Sequence, residues 1–520
     1  MTPNPNRPTI HRLLPHPRRI EAVEGEFHLG ASTRIVVEAN GSDRALFAAE
    51  RLAELIEQEF DVVLEIDRAE GAAFRITLTN SPGTPETPDL LADHDLGTEG
   101  YALEVSADAA RVQAPTAEGL FWGAMTLRQL VERRGVELVA RGARIVDWPH
   151  YRWRGFMIDS GRCPNSLEQM KRIVRVCSAF KLNFVVFREG DDELCSVKYE
   201  TNPLGSKHPL ALSMNEIRDF AAYADRYGVT LVPEIESLGH STAKGIYYPD
   251  LVSGGFEHAY EGIGTHTRKS HLTPGDSRSY ELLESIYNEW ARVIRSPLMH
   301  LGLDEVRLSV EEQAAHLEGL LATLDRAAKA HGKEIMPIVW ADAPATPDEF
   351  VGRVVRCLWD YGDSPSTRDL DNPHLLRQGL EELLREDCPE PVFMAAGSGS
   401  GHTPYSKTGY EAAFRNFAEW TILGKDHPNF QGLLCVQWSG NMLDEWLPDF
   451  AAGADCGWNP PEAIPEFGPQ METVRWQLAR LTDAADPRPE EVDRHAWDAI
   501  WLRDGDWDED IMTGKKKERA

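Results

Sequence analysis

From Arg154 onward, short apolar runs alternate with longer stretches in which apolar residues recur every three or four positions. That alternation is the pattern of βα repeats around a parallel sheet, whose strands are buried on both faces and so read as nearly continuous apolar runs. Eight such runs occur: Gly155–Ile158, Asn183–Phe187, Thr230–Pro233, Leu298–Leu301, Ile335–Trp340, Val354–Leu358, Val392–Ala395 and Leu433–Gln437. Helical spacing between them predicts helices over Leu167–Phe180, Met214–Tyr227, Tyr280–Arg295 and Glu311–Ala330. Eight repeats in roughly 300 residues predict an α/β fold of the (β/α)8 TIM-barrel type. An open doubly wound sheet fits less well, because no glycine-rich phosphate loop follows the first run.

The pattern is different before the barrel. There, β-rich stretches at Thr33–Val37, Phe74–Thr79 and Tyr101–Val105 surround helical patterns at Arg44–Glu59 and Ala117–Val131, which predicts a small α+β domain: one sheet with helices on one face. After Pro460 there is one helical stretch, Pro469–Leu481, and a charged end, KKKERA, expected to be disordered. The expected division is 1–148, an α+β domain; 149–460, the barrel; and 461–520, a helical extension and tail. The connections 188–213 and 236–276 exceed the usual length of about two to six residues and are expected to shape a binding site.

Composition narrows the chemistry. The 84 acidic and 54 basic residues give a net charge of −30, which argues against nucleic acid, since phosphate neutralisation needs clustered Lys and Arg. No run approaches the roughly 18 apolar residues of a membrane span, and the first twenty residues lack the apolar core of a secretory signal. The seven cysteines form no C-x-x-C pair, so neither a disulfide framework nor a zinc site is expected, and a reducing cytoplasm is the simplest compartment.

In a barrel of this kind, functional groups project from the C-terminal ends of the strands. After the first run come Asp159 and Arg162; after the second, Glu189, Asp191 and Asp192; after the third, Glu234, Glu236 and His240; after the fourth, Asp304 and Glu305. Trp340, Trp359 and Trp438 follow three others. Carboxylates, a guanidinium and tryptophans around one mouth suit a neutral sugar: indole faces cover the C–H face of a pyranose, and the charged groups bind its hydroxyls. The Asp-Glu dipeptide is weak evidence alone, since it recurs at Asp192, Asp348, Asp444 and Asp508; its place after an apolar run distinguishes Asp304–Glu305. Structural alternatives exist for each residue, with His240 a satisfied core histidine, Arg162 a counter-ion for Asp159, and the tryptophans core side chains.

The segments GYALEVSADAARVQAPTAEGLFWGAMTLRQLV and RIVDWPHYRWRGFMIDSGR, followed by VTLVPEIESLGHS and MHLGLDEV, resemble glycoside hydrolase family 20, the β-N-acetylhexosaminidases, over nearly the full chain. The resemblance implies an exo-acting, retaining glycosidase that releases terminal β-linked N-acetylglucosamine, and also its galacto epimer, from an oligosaccharide or glycoconjugate. It implies Glu305 as general acid and Asp304 as the group orienting the substrate's own 2-acetamido nucleophile, with no metal and no cofactor. It further implies that His240 and Asp191 form a relay, Asp192 or Glu189 being alternatives to Asp191. Arg162 and Glu236 would belong to the substrate-binding set, and Trp340, Trp359 and Trp438 would be aromatic walls. Three departures stand out. Leu303 replaces the second glycine of G-G-D-E, REGDDELC replaces the usual motif after the second strand, and AAGSGSGHTPYSK replaces a Tyr-x-Asp motif. The tyrosine for the acetamide carbonyl is therefore open between Tyr405 and Tyr361. The competing readings are a carbohydrate-binding pseudoenzyme and a β-glycosidase for another sugar.

Overall fold

All eight apolar runs become strands: β1 (Trp153–Asp159), β2 (Phe184–Arg188), β3 (Thr230–Glu234), β4 (Leu298–His300), β5 (Met336–Trp340), β6 (Val355–Trp359), β7 (Val392–Gly397) and β8 (Phe430–Val436). They close a barrel in chain order, with β8 next to β1. Neighbouring strands run parallel, and helices such as Leu167–Ala179, Met214–Arg226, Ser277–Val293, Val310–Ala330 and Lys407–Gly424 follow them. This is the (β/α)8 barrel. The computed structural model describes residues 9–485 apart from 31, 39–41, 68–74, 80–89, 92–95, 163–164, 193, 209, 254–255, 261–263, 269, 307, 362–369, 398–406 and 439–445. Tyr405 and the KKKERA end lie outside the described residues.

Two barrel helices start at reciprocal caps. Ser213 and Ser309 each accept a hydrogen bond from the N–H of Glu216 or Glu312, whose carboxylate accepts the N–H of the serine in return. These caps end the connections from β2 and β4 at fixed points. Strand register then sets the upper layer of the barrel: Arg188 lies level with Asp159 on one side and Glu234 on the other, and Glu234 lies level with His300. All four side chains are fully buried.

The other compact unit contains the described residues through 154, 175–182 and 447–485. Its eight-stranded mixed sheet includes two eleven-residue antiparallel strands, Arg19–Leu29 and Glu137–Asp147, and carries the helices Asp43–Phe60 and Ala117–Leu130, which pack on each other. A buried Lys181 donates to Asp147 (3.0 Å) and Tyr101 (2.8 Å), and the Trp458 indole donates to the other Asp147 oxygen (2.8 Å). Helix Leu447–Trp458 thus groups with this sheet, so the compact units do not follow the simple succession 1–148, 149–460, 461–520. Its small residues are nearly all buried, which allows close backbone packing and conceals any amphipathic period. Among the described residues, no helix is long and apolar enough to cross a membrane.

Candidate active site

Arg188, the last residue of β2, is the centre of the buried charge at the C-terminal mouth. Its guanidinium meets Asp191 (2.5 Å), Glu234 (2.5 Å) and Glu236 (2.5 Å). Arg162 bridges Asp159 (3.1 Å) and Asp191 (2.9 Å) and is itself partly exposed. Burial alone would lower the Arg188 pKa, but Asp191, Glu236, Glu234 and Asp304 together hold it well above the ordinary value. The acids respond in different ways. Burial drives Glu236 well above the usual carboxylate range and raises Glu234 and Asp159, whereas Asp191, despite burial, is held well below that range by Arg162 and Arg188.

The loop after β2 folds back on itself, with Asp191 N–H donating to Leu194 O and Ser196 N–H to Glu189 O, and this turns Asp191 and Asp192 inward. Both reach one nitrogen of His240, Nδ1, at 3.4 and 3.3 Å. The other nitrogen, Nε2, lies 3.5 Å from Asp304 and 3.5 Å from Glu305. Burial would lower the His240 pKa, but the charges of Asp191 and Asp304 and bonds to Asp191 and Asp192 raise it well above its ordinary value. Glu189 is turned elsewhere and accepts from the Cys195 thiol at 3.1 Å.

The segment carrying Asp304 and Glu305 is held by backbone geometry that few residues adopt. Gly302, Leu303 and Glu305 have φ of 72°, 80° and 53°. A Cβ at Gly302 would fall 2.2 Å from Glu236 Oε2, so glycine is required there on two counts. Leu303, which departs from the family's glycine, is a buried side chain in the same left-handed region, and left-handed backbone costs a non-glycine residue on the order of 1–3 kcal/mol unless its surroundings enforce it. Here they do. Gly302 N–H donates to His300 Nδ1 (3.0 Å), Gly302 O accepts Trp340 N–H (3.0 Å), and Leu301 O accepts Ser237 N–H (3.2 Å). Burial lowers the His300 pKa to about 3, so this ring stays neutral and its Nδ1 remains an acceptor. Asp304 is 8% exposed, and its Oδ1 has no hydrogen-bond partner among the described residues; the Glu305 side chain is 45% exposed.

The aromatic residues form a chain around the mouth. Ring centroids lie 5.6 Å apart for Trp340–Trp438, 6.4 Å for Tyr361–Trp438 and 5.7 Å for Trp359–Tyr361. Arg162 and Arg188 both lie over the Trp438 ring, at 5.0 and 5.1 Å, which joins the aromatic side to the charged one. Trp340 is almost fully buried and donates its indole N–H to Glu234 (2.9 Å). Tyr361 belongs to this cluster; Tyr405 lies outside the described residues.

Residues 11–148 match the profile of glycosyl hydrolase family 20, domain 2, and residues 151–336 that of the glycosyl hydrolase family 20 catalytic domain. The chain belongs to glycosyl hydrolase family 20. It is a glycoside hydrolase with β-N-acetylhexosaminidases as relatives. A β-N-acetylhexosaminidase of Cellulomonas fimi is 26% identical over 98% of this chain and 93% of its own length. The fold matches the family 20 β-N-acetylhexosaminidase of Streptomyces coelicolor A3(2), with TM-score 0.72, 19% identity, and 94% and 99% of the two chains covered. It also matches a mutant Streptomyces plicatus β-hexosaminidase in complex with product N-acetylglucosamine, with TM-score 0.72, 19% identity, and 94% and 98% covered.

In this family 20 chain the residues singled out from sequence converge on one mouth: Arg162, Asp191, Glu236, His240, Asp304, Glu305, Trp340, Trp359, Tyr361 and Trp438. Glu236 is fully buried and meets the mouth through Arg188. Sequence reasoning passed over Arg188, His300 and Asp342. The first directly follows the second apolar run and the last comes two residues after Trp340, so reading every polar residue at a run's end would have found both. His300 lies inside the fourth apolar run, Leu298–Leu301, and only the register reveals it. Among the described residues, Asp191, Asp192 and His240 have potential metal-ligand atoms within 4.8 Å of one another. The two guanidiniums on Asp191 occupy the position of a counter-cation and would repel a dication, so the group fits a metal poorly.

Proposed function

We propose that this protein is an exo-acting β-N-acetylhexosaminidase that removes terminal β-linked N-acetylglucosamine, and its galacto epimer, with retention by substrate-assisted catalysis. The observation that carries the reading is the pair at the end of β4. Asp304 offers a buried oxygen with no hydrogen-bond partner among the described residues, and Glu305 is the more exposed neighbour, with one ring nitrogen of His240 equally near both. Asp304 accepts the acetamide N–H and aims the acetamide oxygen at the anomeric carbon. As that oxygen attacks, the Glu305 carboxyl passes its proton to the glycosidic oxygen and the C–O bond breaks, leaving an oxazolinium ion. Water then attacks the anomeric carbon from the vacated face, gives a proton to the Glu305 carboxylate, and restores the acetamide. Two inversions give retention.

The remaining groups have supporting roles. His240, kept cationic by Asp191 and Asp192, places a positive charge beside Asp304 and Glu305. Arg162 grips sugar hydroxyls, and Trp340, Trp359 and Trp438 with Tyr361 enclose the acetamido methyl and the ring. Relatives named as β-N-acetylhexosaminidases support the substrate class.

The purified protein is expected to release the aryl alcohol from aryl N-acetyl-β-glucosaminide and N-acetyl-β-galactosaminide, equally well with and without EDTA. Binding of N-acetylglucosamine without turnover would favour a binding protein. Preferred turnover of aryl β-galactoside would favour a glycosidase of other specificity, and loss in EDTA restored by zinc or magnesium would contradict metal-free chemistry.

A further inference from the structure

The turn after β5 carries a carboxylate that the roles above leave unused. Asp342 has a different donor on each oxygen: Oδ2 accepts the main-chain N–H of Glu305 at 2.9 Å, and Oδ1 accepts the indole N–H of Trp359 at 3.1 Å. The first donor belongs to the residue read as general acid, held at φ 53°, a conformation an L residue keeps only when its surroundings enforce it. The second belongs to the aromatic wall read as enclosing the acetamide.

The turn that presents Asp342 is itself fixed. Arg356, buried on the neighbouring β6, donates from Nη2 to the carbonyls of Ala341 and Ala343 (2.8 Å each) and from Nη1 to that of Pro344 (2.8 Å). Ala341 N–H is held by Cys357 O (3.0 Å), and Trp340 N–H by Gly302 O (3.0 Å). The end of β5 is therefore a bracket anchored on β6, with the catalytic segment from β4 attached to it at Gly302 by a main-chain bond and at Glu305 by the Asp342 side chain.

We propose that Asp342 is a positioning residue for the glycosidase reaction, its carboxylate setting at once the main chain of the general acid and the indole wall of the acetamide subsite. The proposal rests on the reading of Glu305 and Trp359 given above. Through Asp342, placement of the transferred proton is tied to placement of the nucleophile, and a misplacement of about 1 Å at such a point can cost on the order of 10² in rate. Both bonds are strongest when the carboxylate is ionised. The charged groups facing it are Asp304 and Glu305 on the segment after β4 and Arg356 beneath the turn; Trp359 faces it from β6 as a neutral donor. Burial and then the Asp304 charge raise the Asp342 carboxyl to about 6, while the Glu305 N–H and Trp359 indole favour the anion. As pH falls through about 6 the anion is lost and both bonds weaken, so turnover should decline on that side.

The test uses full-length protein and pH profiles of kcat and KM on two aryl N-acetyl-β-glucosaminides, one with a good and one with a poor leaving group. Asp342→Asn should lower kcat for the poor leaving group by about tenfold or more, lower it less for the good one, raise KM, and remove the decline near pH 6. Trp359→Phe keeps the wall but deletes a donor that favours the anion, so the decline should move to higher pH. That variant keeps the proposal testable if Asp342→Asn does not fold, as judged by circular dichroism. Equal losses on both substrates with an unshifted acid side in either folded variant would overturn the positioning role. An unmodified protein inactive on every N-acetylhexosaminide would instead overturn the functional reading beneath it.

Discussion

Asp304→Asn is expected to reduce kcat on every N-acetyl-β-glucosaminide by on the order of 10² or more, whatever the leaving group, because a preorganised charge at the reacting centre is removed. The buried Asp304 oxygen that has no partner among the described residues is the one proposed to receive the acetamide N–H, and an amide there orients the nucleophile without stabilising its developing positive charge. Glu305→Gln should behave differently. It removes the transferable proton and, in the second step, the base for water, so poor leaving groups should lose roughly 10² to 10⁴ while departure of an activated aryl leaving group is partly spared. Azide should not rescue Asp304→Asn, since no protein nucleophile is missing; in Glu305→Gln, where the water has lost its base, it should give a glycosyl azide of retained configuration. Rescue of Asp304→Asn with an inverted glycosyl azide would make Asp304 the nucleophile, and equal loss on both leaving groups in Glu305→Gln would remove Glu305 from the acid role.

The second large effect is on stability. Arg188 is fully buried and faces Asp191, Glu234 and Glu236, and no water reaches it to replace a lost charge. Removing one partner of such a group leaves the others uncompensated and costs roughly 3–5 kcal/mol. Arg188→Met should therefore lower the barrel's apparent unfolding temperature by roughly 5–10 °C, although methionine nearly fills the same space. Adding Glu236→Gln to that variant should recover part of the loss, because it removes one of the orphaned acids. A single variant as stable as the parent, or a double variant less stable than the single one, would show that Arg188 is not what holds these carboxylates together.

The barrel was legible because its strands are buried on both faces, which makes each one a continuous apolar run that needs no knowledge of its neighbours. The candidate site was legible where its residues sit at the ends of those runs: Arg162, Asp191, His240, Asp304, Glu305 and the three tryptophans. Arg188 and Asp342 also sit at or just beyond the ends of runs and were passed over there, whereas the importance of His300 comes from partners on other strands, and cross-strand register is absent from any local pattern. The strand Arg19–Leu29 was missed for a related reason. It is mostly exposed and rich in Glu, so it lacks the alternation that marks a half-buried strand. Helix Leu447–Trp458 is buried almost throughout and so has no amphipathic face to mark it, and its Gly453 and Gly457 offset the helical propensity of its three alanines.

The central claim is that the substrate's own acetamide attacks the anomeric carbon, and the most direct measurement is kcat/KM for aryl N-acetyl-β-glucosaminides carrying an increasingly fluorinated acetamide methyl. Fluorine changes the size of that group little but drains electron density from the carbonyl oxygen. With Asp304 orienting a true nucleophile, the rate should fall steeply and steadily with each fluorine added. A flat series, with the trifluoroacetamide hydrolysed as fast as the acetamide, would contradict the account and require the nucleophile to be water or a protein carboxylate.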